Sequence, residues 1–254
     1  MLPVHRVSAT LANIGNWSHF AVRSVFACLV MLFRPALWLR PLYGVLIGAF
    51  PLAVVLGIAL GAVIWMQTRG ILERTAGAAE LLPTVLAAAV LLELAPIGAG
   101  LIVASRTGAS LGAELASMKV SEQVDALELL GVSPLRRLVA PRVWACIFAV
   151  PMIHVLVASL ALGSGYLAEL VTGQTTWLKY QSAILSELRL DEVVPAGLKT
   201  LVFGWLVGVT GCYVGLNANG GSEGVGKAAT DSVVSCTLLV LAADVVLVGV
   251  IRLL

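Results

Sequence analysis

RTGASLGAELASMKVSEQVDALELLGVSPLRRLVAPR, residues Arg106–Arg142, is a polar, charged, helix-forming island between long apolar segments. Hydrophobic residues make up 59% of the chain and charged residues 12%, with a mean hydropathy of +1.00. A soluble domain carries roughly 25% charged residues. The apolar runs on both sides of the island are long enough to cross a bilayer, which takes about 20 residues. A chain packed in lipid gains nothing from such an island unless something outside the membrane grips it. The composition therefore indicates an all-α integral membrane protein, and the island indicates a partner.

Outward from the island, five spans are predicted at about 43–66, 82–105, 143–171, 195–217 and 232–254. Gly57 and Gly61 in the first span form a GxxxG pair, a spacing that lets helix backbones approach. Residues 4–33 differ in character. Val7, Leu11, Ile14, Trp17, Ala21, Val25, Cys28 and Leu32 recur every three or four positions, with His5, Arg6, Asn13, Asn16, His19 and Arg23 between them. That pattern predicts an amphipathic helix lying in the membrane interface. Arg34-Pro35 and Arg40-Pro41 are expected to break the chain after it. The whole of 1–254 reads as one membrane domain, with no internal repeat or low-complexity linker and no secretory or transit peptide.

Lysine and arginine in the connections set the orientation. With the N-terminus in the cytoplasm, Arg6, Arg23, Arg34, Arg40, the five basic residues of 106–142 and Lys227 lie inside. Arg69, Arg74, Lys179 and Arg189 lie outside. The bias favours a cytoplasmic N-terminus, a cytoplasmic island and an outer C-terminus.

Within the island, Ala109–Lys119 extends the second span, and two short cytoplasmic helices are expected after it. Ser121 suits an N-cap, with Glu122, Gln123 and Asp125 in the first turn, where the helix dipole favours acids. Gly131 suits the C′ stop. Ser133-Pro134 repeats the start signal and is followed by Arg136 and Arg137, with Pro141 marking the end. Val124, Leu127 and Leu130 form one stripe of the first helix; Glu122, Asp125 and Glu128 form another. One face can lie on the bundle while the acidic face is left for docking. A solvated loop is the plainer alternative.

Several chemistries are disfavoured. Gly221–Ala228, GSEGVGKA, nearly spells a phosphate-binding loop, but Ala228 stands where magnesium needs Ser or Thr, and two apolar helices flank it. It is expected to be a flexible connection. Any ATP-derived force must then come from another polypeptide. Cys28, Cys146, Cys212 and Cys236 are scattered through apolar segments, which indicates small buried residues, neither zinc ligands nor a disulfide frame. No metal-ligand cluster and no nucleophile with a neighbouring base appears, and a net charge of +2 gives no footing for nucleic acid.

Ionisable groups inside spans are costly and are functional candidates by default. Glu93 lies about midway along the second predicted span, near Pro96, which removes a backbone donor and can kink the helix. A carboxylate beside a kink suggests a polar pocket. Asp244 in the last span is expected to pair with a basic or hydroxyl group on another helix. His154 and Lys199 lie nearer span ends, where snorkelling is expected. A structural role stays open for Glu93 and Asp244. So do two other functions: a proton-coupled secondary transporter using Glu93 and Asp244, and an intramembrane enzyme acting on lipid.

Leu91–Arg142 resembles the MlaE (YrbE) permease family, the membrane subunits of ABC transporters linked to MCE proteins. The similarity rests on Glu93 and Pro96, Arg106-x-Gly108, Ala113-Glu114-Leu115, Met118, Glu122-Gln123, Ala126-Leu127-Glu128, Pro134 and Pro141-Arg142. Gly224-Val225-Gly226, Ala229-Thr230, Val233-Val234-Ser235, Leu241 and Asp244 resemble the family's C-terminal segment. The resemblance covers about 80–254; the first span fits in character only.

The resemblance implies an interfacial helix plus five transmembrane helices. It also implies a homodimer moving phospholipid or a related lipid between bacterial membranes from the inner membrane, its C-terminus periplasmic. A cytoplasmic ABC ATPase dimer would bind ATP and Mg, leaving this chain non-catalytic and without a cofactor. A periplasmic MCE-domain protein would sit above, and some family systems add a small STAS-domain subunit. Lipid binding would fall to Glu93, Leu92 and Pro96. ATPase coupling would fall to Arg106, Glu114, Glu122, Gln123, Asp125, Glu128, Arg136 and Arg142, with Gly108, Pro134, Pro141 and Asp244 structural. The chain departs from the family at Leu92, where an arginine is usual, so Glu93 is expected to lack its neighbouring cation. Ser105 and Ser133 also replace a common glycine and aspartate.

Overall fold

A computed structural model of the chain describes residues 3–31, 36–72, 81–172, 176–187, 190–251 and 253. The described residues are helical throughout, with turns between helices. Five segments are long and apolar enough to cross a membrane: Ala36–Leu72, Leu82–Val120, Leu135–Val171, Glu192–Leu216 and Gly221–Ile251. The first is α2 (Ala36–Leu72). The second joins α3 (Leu82–Ala88), a π-helical turn at Ala89–Leu94 and α4 (Ala95–Val120). The third joins a π-helical turn at Leu135–Val139 to α6 (Ala140–Thr172). The last two are α8 (Leu190–Leu216) and α9 (Gly221–Ile251). Around them lie α1 (Pro3–Met31), α5 (Gln123–Leu129) and α7 (Trp177–Glu187), the last unforeseen in the connection after the third span.

Lipid offers no hydrophobic drive between helices, so contact depends on how closely backbones can approach. α2 packs mainly along α6, and α4 packs on α8 and α9. A Cβ on Gly57 would lie 2.8 Å from Leu160 Cβ, and one on Gly61 would strike the Ala161 carbonyl and Ser164 Oγ. The GxxxG pair is thus the α2–α6 contact. Ser164 Oγ in turn donates to the Ile58 carbonyl at 3.1 Å. Near one end of the same pair, Trp65 Nε1 donates to Glu169 Oε2 at 2.7 Å, and Arg69 lies 3.6 Å from that oxygen and over the Trp65 ring. The four cysteines are buried and free.

The prolines depart from expectation. α2 continues through Pro41, which near the N-terminus forgoes only one bond, to the Leu37 carbonyl. Arg34-Pro35 lies outside the described residues. Pro141 does not end a helix, because the preceding π turn widens the coil where the proline ring would clash. The second helix expected in the island is therefore the start of the third span, and α5 is the island's one short helix among the described residues. Gly221–Ala228 likewise forms the first turns of α9 instead of a flexible connection.

Along α1, Ala21 and Cys28 of the predicted stripe are buried, whereas Ile14 and Val25 are exposed. Trp17 Nε1 donates to Thr210 at 3.2 Å, and Trp144 Nε1 donates to the Cys28 carbonyl at 2.9 Å. The helix is tied to the bundle by α6 and α8.

Gly61→Leu should drive α2 off α6. Overpacking of this kind costs about 1–3 kcal/mol. Thermal unfolding in detergent, followed by tryptophan fluorescence, should show a clearly lowered midpoint; an unchanged midpoint would remove Gly61 from the interface.

Candidate functional site

The π turn at Ala89–Leu94 shapes one site. A wide turn frees backbone carbonyls from the helical ladder, and such turns recur at functional positions. Leu92 offers its carbonyl to Lys199 Nζ at 3.1 Å, and Glu93 Oε2 accepts from the same Nζ at 2.8 Å. Asp244 Oδ1 on α9 stands 3.5 Å from that nitrogen, an ion-pair distance, and has no hydrogen bond of its own. The Lys199 side chain is 3% exposed, Asp244 13% and Glu93 42%. Three helical segments thus bring one ammonium and two carboxylates together.

These contacts correct two expectations. Lys199 does not snorkel: it is buried and held by three oxygens. Glu93 does not lack a cation: α8 supplies from across the bundle what Leu92 does not supply from its own turn. The pairing expected of Asp244 is made with Lys199. The helix that carries Glu93 continues to Val120, as the expected extension over Ala109–Lys119 requires. His154 is buried too, and its Nε2 has no hydrogen-bond partner among the described residues.

A cavity of about 350 Å³ opens beside this group, lined by Leu92, Glu93, Glu192, Pro195, Lys199 and Val248 among others. Leu92 and Glu93 reach it; Pro96 is buried beneath the π turn. Asp244 stands behind Lys199. The opening presents a lysine already neutralised by carboxylates, next to apolar walls. That arrangement suits an amphiphile whose anionic head competes with Glu93 for the ammonium.

The residues expected to couple to an ATPase fall into two places. At the tip, α5 buries Val124 and packs Leu127 on the core beneath α1. Glu122, Gln123, Asp125, Glu128 and Arg136 are exposed. Lys119 Nζ bonds Asp125 at 2.6 Å, so one of the three acids is paired. Ser121 is not an N-cap: its hydroxyl turns back to the Ser117 carbonyl at 2.7 Å and closes α4 instead. Glu122 takes that place with a left-handed φ of 59°. Gly131 has φ 71°, and the Gly131→Glu128 and Val132→Leu127 bonds form a Schellman stop. That turn carries Leu130 away from the bundle stripe. Leu129 is 90% exposed and Leu130 77%, an apolar tip beside the acids.

Arg106, Glu114 and Arg142 lie apart from the tip. Arg142 Nη2 is 3.3 Å from Glu114 Oε2, and Nη1 donates to the Leu138 carbonyl at 2.9 Å. Gly108 lies against Cys236 of α9, while Pro134 opens the helix that runs into α6 and Pro141 is buried within it. Groups of His, Cys, Asp and Glu fit to hold a metal ion do not occur among the described residues.

The family model for the MlaE permease matches residues 38–250. A probable ABC transporter permease protein of Rickettsia typhi is 33% identical over 233 residues, 90% of this chain and 88% of its own length. A probable ABC transporter permease protein of Synechocystis is 33% identical over 168 residues, 65% of this chain and 62% of its own. The chloroplastic protein trigalactosyldiacylglycerol 1 of Arabidopsis thaliana is 37% identical over 164 residues, 64% of this chain and 47% of its own. The extent of these matches, together with five membrane-spanning helices, means that this chain belongs to the MlaE permease family and is a multi-pass ABC transporter permease.

Proposed function

We propose that this permease moves phospholipid or a related lipid between bacterial membranes. The observation that carries this reading is Lys199, buried between Glu93 and Asp244 at the wall of an open cavity. A lipid phosphate entering the cavity competes with Glu93 for the ammonium. Asp244 holds Lys199 in place while Glu93 exchanges. The apolar walls take the acyl chains. A glycolipid in the name of the Arabidopsis relative supports a lipid cargo.

In this reading the chain is not itself catalytic. Two copies form the transport cavity in the inner membrane, with the N-terminus cytoplasmic, the C-terminus periplasmic and α1 in the interface. A cytoplasmic ABC ATPase dimer binds ATP and Mg and docks on the α5 tip. An MCE-domain protein meets the periplasmic side, and a STAS-domain subunit is a further candidate partner. The exposed pair Leu129 and Leu130 supports a protein contact at the tip, because apolar anchors ringed by charge carry binding energy.

Glu93→Gln should free Lys199 for phosphate, raising co-purified phospholipid about tenfold, the equivalent of one charge-assisted contact, while slowing ATP-driven transport. Lys199→Met should lose both bound lipid and transport. Native mass spectrometry that shows the same lipid complement in both variants and wild type would sink the assignment. Lipid transport that persists without any ATPase would instead favour a secondary transporter.

Replacing Leu129 and Leu130 with Asp, or Glu122 and Glu128 with Lys, should leave membrane insertion intact. Each should weaken ATPase co-purification by at least about thirtyfold, as loss of a hot spot of roughly 2 kcal/mol does. Undiminished co-purification would exclude the tip as the dock.

A further inference from the structure

The strongest unassigned feature is the second cavity, about 310 Å³, where the start of α2 meets α4 and the start of α6. That volume falls within the about 300–1,000 Å³ typical of small-ligand sites. Its walls combine Gly44 and Gly48 of α2 with Arg106, Ser110 and Glu114 of α4 and Arg142 of α6. The space over Gly44 is open: a Cβ there would meet nothing within 4 Å. Arg106 packs over Gly48, its Nε 3.5 Å from where a Cβ would stand, an ordinary contact distance.

The charges do not balance. Arg142 is paired with Glu114, which also accepts from Ser110 at 3.0 Å. Arg106 has no carboxylate partner among the described residues and is exposed at the cavity. The cavity therefore holds two guanidinium groups against one carboxylate. It sits where three spans leave the apolar region at the same side as the α5 tip. Tyr43 and Ile47, one helix face over from Gly44, are 67% and 54% exposed and offer an apolar surface beside it. Along the helix, Arg106 is thirteen residues from Glu93, about 20 Å at 1.5 Å per residue, so this cavity is distinct from the one beside Lys199.

We propose that this cavity binds the phosphate of an anionic phospholipid from the adjacent leaflet, as a resident site separate from the transported lipid. Arg106 supplies the free fork for the phosphate oxygens, a geometry guanidinium matches in pairs of hydrogen bonds. Arg142 adds field from behind, tempered by Glu114. The acyl chains run outward along Tyr43 and Ile47. A phosphate is the shared chemistry, and a lipid is favoured over free phosphate because the open side of the cavity continues into that apolar surface.

The test is native mass spectrometry of the permease, isolated with its partner subunits and transferred to phosphatidylcholine nanodiscs containing graded phosphatidylglycerol. Arg106→Gln should cut retained phosphatidylglycerol about tenfold, as loss of one charge-assisted contact does, while Arg106→Lys keeps it to within about threefold. Glu114→Gln, which releases Arg142, should raise it about threefold. Lys199→Met should leave this component in place, which separates the result from the fate of the transport cavity. An equal unfolding temperature for Arg106→Gln and wild type in lipid-free detergent confirms that the fold is intact. Unchanged phosphatidylglycerol retention in Arg106→Gln overturns the proposal. Displacement of the lipid by excess inorganic phosphate also overturns it, as does loss of the ATPase with lipid retention unaltered, which would mark the cavity as a seat for a partner's carboxylate.

Discussion

A lysine buried in a membrane-spanning bundle has to be neutralised, and that constraint organises the structure around Lys199. An isolated ammonium in a low-dielectric interior costs several kcal/mol even after relaxation. Lys199 meets the cost with a backbone carbonyl and a carboxylate from the Ala89–Leu94 π turn and a second carboxylate from α9. Removing any of them leaves a buried charge short of partners. The group therefore fixes the relative placement of the second, fourth and fifth spans, and it does so at the wall of a cavity where Glu93 remains accessible.

The π turns and prolines serve that placement. In each of two spans a π-helical run ends one residue before a proline's predecessor: Ala89–Leu94 before Pro96, and Leu135–Val139 before Pro141. The wide turn accommodates the ring and releases carbonyls that an α-helix would occupy. At the first turn the released Leu92 carbonyl goes to Lys199. At the second, the Arg142 guanidinium donates to the Leu138 carbonyl, four residues back along the same helix. In both spans a carbonyl of the π turn thus meets a cation beside a cavity, Lys199 buried and Arg142 half-buried.

Five spans were legible because lipid imposes length and apolarity on each of them, and α5 was legible because its acidic first turn and Gly131 are local signals. The GxxxG pair was readable as a contact but not as a contact with α6, since spacing says nothing about the partner. Lys199 was misread for the same reason. Its position in an apolar run marked it as costly, yet its distance along the chain from Glu93 concealed the pairing. Ser121 and Leu130 misled because each has two uses: a serine can cap the helix it follows, and a leucine beyond a Schellman turn leaves the stripe it belongs to in sequence. Pro141 misled because a π turn leaves no mark in composition.

Under the proposed function, the geometry also constrains how force taken up at the tip would reach the cavity beside Lys199. From Pro96 to Val120 the helix is unbroken, about 37 Å at 1.5 Å per residue. Its middle cannot slide freely, because Gly112 lies so close to Ala228 of α9 that a Cβ would stand 2.7 Å from that carbonyl, and Gly215 of α8 is equally tight against Leu115. A displacement of α5 therefore acts on α4 as on a lever pivoted at its small residues. The compliant point is the π turn at the far end, where the hydrogen-bond ladder is already irregular. Glu93 sits on that turn, while Lys199 and Asp244 sit on the two helices that form the pivot. Under the proposed function, motion of the lever would change the Glu93–Lys199 distance more than the Lys199–Asp244 distance, the differential a headgroup release without uncovering the ammonium calls for.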